Sequence, residues 1–110
     1  MQALEVKRAA LKVRREIEVL ATDFWASASA LPREGMAKTA IERRLVLIVA
    51  SVPPESRRNA FKAARQAGYV YKETSDVLHG RTRASWINAV RVREWNSDVA
   101  RLTAIVASLS

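Results

Sequence analysis

The stretch Gly68-Tyr-Val-Tyr-Lys-Glu-Thr-Ser-Asp-Val-Leu-His-Gly-Arg-Thr-Arg-Ala-Ser-Trp-Ile-Asn-Ala-Val-Arg91 decides how this chain is read. A short helical pattern over about Tyr71 to Leu78 runs into a tight polar turn at His79-Gly80. A second helical pattern then opens with Arg81, Thr82 and Arg83. A helix pair of this kind presents the start of its second member outward, which is the arrangement that places a helix in the major groove of DNA.

Upstream, Gly68 is predicted to stop a preceding helix, because glycine adopts φ > 0 without steric cost. That helix opens at Pro54, where proline suits the first turn, with Glu55 complementing the helix dipole. Its apolar face is Ala60, Phe61, Ala64 and Ala67; Arg57, Arg58, Lys62 and Arg65 cover the other side. Before it, residues from about Met36 to Ala50 form a helix whose second half is apolar all round, so it is expected to be the most buried element. Val52-Pro53-Pro54 ends it.

The first helical pattern runs from residue 2 to about 28. Ala3, Val6, Ala10, Val13, Ile17, Leu20 and Phe24 alternate steps of three and four, a heptad stripe widened by Leu4 and Leu11. Leu31-Pro32 ends it, since a residue before proline is pushed out of the α region. Downstream, the helix from Thr82 extends towards Leu109 with a second stripe of Val92, Trp95, Val99, Leu102, Val106 and Leu109. Asn96-Ser97-Asp98 marks a possible kink, because these residue types favour caps over helix interiors. The stripes pack on each other and on Leu45 to Val49 within one chain, or one of them (Val6 to Phe24, or Val92 to Leu109) forms a homodimer seam.

The expected fold is all-α: a compact bundle of about five helices in a single domain, 1–110. Residues 1–52 form a scaffold with possible dimerisation helices, 54–95 a helix-turn-helix unit, and 96–110 a C-terminal helix packing on the scaffold or a partner. The helix formers Ala, Leu, Arg, Lys and Glu dominate, and only three prolines and three glycines interrupt 110 residues.

The formal charge is +8, from 19 basic and 11 acidic residues, with a pI near 10.8. That excess points to a polyanionic partner. There is no cysteine, which excludes disulfides, Cys-ligated zinc and thiol nucleophiles. No run approaches the roughly 20 apolar residues of a membrane span, and Met-Gln-Ala-Leu-Glu-Val-Lys-Arg lacks the apolar core of a signal peptide. A cytoplasmic, nucleoid-associated protein is expected, with no membrane partner. There is no Gly-rich phosphate loop, no histidine pair for a metal, and no nucleophile beside a base. No enzymatic activity, cofactor or metal is therefore expected. Glu73 and Asp76, beside Lys72, read as a solvated helix face.

Residues 57 to 91 resemble the helix-turn-helix units of small bacterial and phage regulators and the DNA-binding region of sigma-type factors. Ala60-Phe-Lys-Ala-Ala-Arg-Gln-Ala-Gly-Tyr-Val-Tyr-Lys-Glu-Thr-Ser-Asp-Val-Leu is similar to the lead-in helix, glycine and first helix of that motif. Ser75 takes the place of the small residue at the helix crossing, and Leu78 that of the apolar anchor. Gly80-Arg-Thr-Arg-Ala-Ser resembles the turn and the opening of a recognition helix. His79 intervenes between anchor and glycine, which lengthens the turn by one residue. The resemblance implies sequence-specific binding of double-stranded DNA in transcriptional regulation.

Arginine at the start of such a helix reads guanine through O6 and N7. Arg81 and Arg83 are assigned that role, with Thr82 and Ser85 reading bases or binding phosphate. Asn88 pairs with adenine if it faces outward, and Arg91 and Arg93, further along, contact phosphate. Arg57, Arg58, Lys62, Tyr71 and Lys72 are the candidate phosphate contacts on the preceding helices. Trp86 and Trp95 are expected in the core, with the recognition helix burying either Trp86 and Ala89-Val90 or Ile87 and Val90.

Two alternatives come from other classes. Leu78-His79-Gly80-Arg81 resembles the His-Gly of HEPN-type ribonucleases, which implies an RNA-binding or RNA-cleaving toxin centred on His79; the arginine that family carries four to six residues earlier is missing. The stripes at both ends suggest instead an oligomeric phage assembly or packaging protein.

Overall fold

The computed structural model describes residues 1–29 and 41–109. The first heptad stripe coils into α1, Ala3–Ser29. Val6, Ala10, Val13 and Ile17 are wholly buried, Ala21 joins them, and Leu20 and Phe24 pack partly buried against the same cluster. Leu4 and Leu11, one step off the stripe, are exposed. The expected stop at Leu31-Pro32 and the expected start at Met36 lie outside the described residues.

The second helix, α2, is Ile41–Ser51. Four of its 11 residues are buried, a larger share than in any other described α-helix, but burial is confined to one side. Ile41, Leu45 and Ile48 enter the core, but Val46 is 64% exposed. A helix apolar all round still has only one side against its neighbours. Arg44 is the polar member of the buried side; its Nη1 donates to Thr22 Oγ1 of α1 at 2.7 Å.

A 3-10 turn, Pro54–Ser56, leads directly into α3, Arg57–Leu78. This is the main correction to the expected topology. Gly68 does not end a helix; it sits mid-way along α3, its Cα side facing Leu45 of α2. The expected short helix Tyr71 to Leu78 is the last two turns of the same rod. Ala60, Ala63, Ala64, Ala67, Val70, Thr74 and Val77 keep helical phase straight through the glycine, and all seven are buried. A glycine costs about 1 kcal/mol relative to alanine inside a helix, less than this continuous face returns. Phe61, assigned to the apolar face, is 56% exposed, and Ala63 takes its place.

α3 stops at Leu78 with a glycine at the left-handed position. Gly80 has φ 75°, its N–H donates to the Val77 carbonyl at 3.2 Å, and Arg81 N–H donates to the Asp76 carbonyl at 2.8 Å. These two bonds are the Schellman pattern. Residues 79 to 88 then connect to α4, Ala89–Ala107. The helix expected to begin near Thr82 thus begins seven residues later, and no break occurs at Asn96-Ser97-Asp98. Asn88 starts it: its side-chain oxygen accepts from Arg91 N–H at 2.9 Å, satisfying an otherwise orphaned donor.

The described architecture is therefore four α-helices rather than about five. α3 and α4 form an antiparallel hairpin, since Glu73 reaches Arg91 and Trp95 while Asn59 reaches Arg101. α1 also runs antiparallel to α3, with Arg14 bonded to Ser75 and Glu18 to Tyr71. Val92, Trp95, Val99 and Leu102 of the second stripe share one core with Val6, Val13, Ile17, Leu45 and Ile48. Both stripes are thus used within the chain; a homodimer seam along Val6 to Phe24 or Val92 to Leu109 would have to open this core.

Candidate nucleic-acid interface

The connection 79–88 carries the residues assigned to DNA, and its conformation differs from the helix start that was expected. Arg81, Thr82 and Arg83 precede any helix. Ala84–Trp86 is a single 3-10 turn, closed by Trp86 N–H to the Arg83 carbonyl at 3.0 Å and Ile87 N–H to the Ala84 carbonyl at 3.1 Å. Ala84 and Ile87 plug into the core beside α1. These two anchors fix the loop, so its other side chains point outward.

Trp86 is one of those. It was expected in the core but is 70% exposed, while Trp95 is fully buried as expected. Ile87 is buried, and Ala89 and Val90 are exposed, so neither expected burial set holds in full. The Arg83 guanidinium lies over the Trp86 ring, 5.6 Å from its centroid. The Arg81 side chain is 67% exposed, with Nη1 3.2 Å from Asp76 Oδ1. Ser85 is exposed and Thr82 half-buried. No acidic residue occurs from His79 to Asn88. The loop therefore presents two guanidiniums and an indole to solvent.

Comparison with protein-family models, curated proteins and solved structures finds no match.

Asn88 is occupied as the N-cap of α4 and is not a free reader of adenine. Arg91 is also engaged. Its Nε donates to Glu73 Oε1 at 2.6 Å and its Nη1 to Glu94 Oε2 at 2.7 Å. The Glu73 hydrogen bond holds the guanidinium proton more tightly than usual, against the opposing effect of burial. A phosphate contact from Arg91 would have to displace two carboxylates. Glu73, read as part of a solvated face, is instead the hinge pin between α3 and α4.

Tyr71 is likewise committed internally. Its hydroxyl donates to Glu18 Oε1 at 2.7 Å and accepts from Arg14 Nη2 at 3.3 Å. Burial and the Glu18 bond push its phenol above the ordinary value. Lys72 is exposed. Arg57, Arg58 and Lys62 are also exposed, but Arg57 and Arg58 lie at the start of α3 and the loop lies past its end. At 1.5 Å per residue they are about 30 Å apart, so one phosphate run would have to track the whole of α3 to meet both. Arg93, the other expected phosphate contact beyond the loop, is exposed in the first turns of α4.

A groove of about 630 Å³ separates α2 from α3. Leu45, Val49, Ala64 and Gly68 contribute to its floor, and Arg65, Lys72 and Arg81 are among its charged lining. Val46, Phe61 and Tyr69 stand exposed along it. The missing side chain of Gly68 opens its middle.

His79 is exposed at the C-terminal end of α3, its Nδ1 2.7 Å from the Ser75 carbonyl oxygen. That places Nδ1 as the donor and leaves Nε2 outward. Among the described residues, no group of three His, Asp or Glu side chains is placed to hold a metal ion, and no helix is long and apolar enough to cross a membrane.

Proposed function

We propose that this chain binds double-stranded DNA, with the connection between α3 and α4 against the phosphate backbone. The observation that carries the reading is the anchored, acid-free loop 79–88, which holds Arg81 and Arg83 outward on a chain of net charge +8. Ala84 and Ile87 fix the loop from below, so two guanidiniums are presented with little ordering cost. Lys72 and Arg93 flank it. Arg57, Arg58 and Lys62 extend the basic surface along α3 for a longer duplex. Because Asn88 and Arg91 have internal roles, the affinity expected is chiefly phosphate-driven, with base reading limited to Arg81, Thr82, Arg83 and Ser85. Regulation of transcription is one use of such binding.

Titration of a labelled duplex at several salt concentrations tests this. Arg81→Ala combined with Arg83→Ala should weaken binding and reduce the log–log salt slope by nearly 2, since each phosphate contact contributes about 0.9. Equal binding by both proteins with a flat slope would overturn the reading.

The assembly reading is favoured by a different observation, the exposed Val46, Phe61 and Tyr69 along the α2–α3 groove. Apolar surface of this kind marks protein contacts. Light scattering separates the two readings: a large assembly with no duplex affinity would support assembly alone.

A further inference from the structure

We infer that Trp86 is a stacking platform for an unpaired nucleobase. This rests on the loop's being a nucleic-acid surface, and it adds a strand preference to it. A tryptophan 70% exposed forgoes the burial of one of the largest apolar side chains. Here the exposure is built into the loop. Ala84 opens the 3-10 turn and Ile87 directly follows it, both buried, and Trp86 lies between them in sequence, so the backbone that buries its neighbours turns the indole away from the core. Two backbone hydrogen bonds hold that geometry.

The indole has two faces. Arg83 lies over one at 5.6 Å, a distance within cation–π range. That leaves a π-surface for a second flat group and a cation beside it. A base on the ring and its phosphate on Arg83 or Arg81 satisfy both features at once. Bases stack on such platforms without regard to sequence, because every base has a π-face. In an intact duplex the bases are already stacked on one another, so this contact is open only to single strands, bulges and ends. Phosphate contacts by Arg81 and Arg83 serve either kind of strand; Trp86 favours the unpaired one.

The test uses the full chain, with Trp86→Ala and Trp86→Phe. The probes are a 12-mer of thymidine, a 12-mer of uridine, and a blunt duplex with and without a single-base bulge. Trp86→Ala should bind the single strands and the bulged duplex about 10-fold or more weakly, with blunt-duplex affinity unchanged. Trp86→Phe should restore most of the loss. Quenching of tryptophan fluorescence by the single strands should disappear in both variants. Because Trp86 is exposed, both should melt like the parent.

If Trp86→Ala binds single strands and bulges as the parent does, the stacking role is wrong and the duplex reading stands. If the parent binds no probe, the nucleic-acid reading fails and the stacking role with it. If oligonucleotide affinity is unchanged but self-association is lost, Trp86 is a protein contact and the proposal is overturned.

Discussion

The indole Nε1 of Trp95 donates to Glu73 Oε1 at 2.6 Å. Trp95 is fully buried, so this carboxylate oxygen is its acceptor in place of water. The same oxygen accepts from Arg91 Nε at 2.6 Å. One atom of α3 thus ties down two residues of α4, a full turn apart.

Glu73→Ala removes both bonds and leaves a buried N–H without a partner. The expected loss is about 2 kcal/mol, a fall in Tm of roughly 8 °C for a chain of this size. Glu73→Gln keeps an acceptor for the indole and should lose about half as much. Thermal melts of the three proteins check the ranking; an unchanged Tm for Glu73→Ala would remove the hinge role.

Two glycines should respond to alanine with opposite sign. At Gly68 the added Cβ meets Leu45 Cδ1 at 3.9 Å, ordinary contact, and the site is mid-helix. Gly68→Ala should stabilise the protein by roughly 0.5–1 kcal/mol. Gly80 has φ 75°, where a Cβ is strained, and Gly80→Ala should cost about 1 kcal/mol. Urea denaturation reads both, and destabilisation by Gly68→Ala would argue against a continuous α3.

Asp98 is half-buried, and burial, opposed by Arg91 and Arg101, raises its pKa above the ordinary 3.8. A carboxyl raised on folding binds its proton more tightly in the native state, so stability is lost as pH rises through the folded value. Asp98→Asn should therefore raise stability at neutral pH, by less than about 1 kcal/mol. The gain should shrink as pH falls through the ordinary 3.8, where the unfolded parent becomes protonated as well. Parallel melts at pH 7 and pH 3.5 provide the comparison.

Arg44 is only 7% exposed. Its Nη1 has Thr22, but its Nε has no acceptor among the described residues. Burying a guanidinium with so few partners is costly, and a methionine of similar length fills the same space. Arg44→Met should be as stable as the parent or more stable by about 1 kcal/mol. Arg44→Ala, which leaves a cavity, should be less stable than either. Denaturant midpoints decide the order.

The parts of the fold that could be read from the sequence were those written in a single helical period. Val6, Val13 and Ile17 of α1, and Val92, Trp95, Val99 and Leu102 of α4, lie where the spacing puts them. The continuity of α3 was written the same way, in the run from Ala60 to Val77, but a glycine at 68 carries a strong local signal for a stop. Tertiary packing overrode it. The start of α4 also had a local signal, since Asn88 is a capping residue type just ahead of the Val92 stripe, but the helix was expected from Thr82 and Asn88 was read as a base contact. Trp86 went astray because hydrophobicity alone favours burial, whereas the anchors three apart, Ala84 and Ile87, turn it outward. The roles of Glu73 and Tyr71 were not legible at all: these partners lie 18 to 57 residues away, beyond any local pattern. For the candidate site, the basic loop was visible as composition, while which of its arginines are engaged was not.

The antiparallel placement of α1 against α3 has a consequence during synthesis. Val6, Val13 and Ile17 leave the ribosome well before Val99 and Leu102, which share their buried cluster. α3 and α4, neighbours in sequence, can zip together as a local unit. Until α4 is made, the part of α1 that it covers stays an uncovered greasy edge.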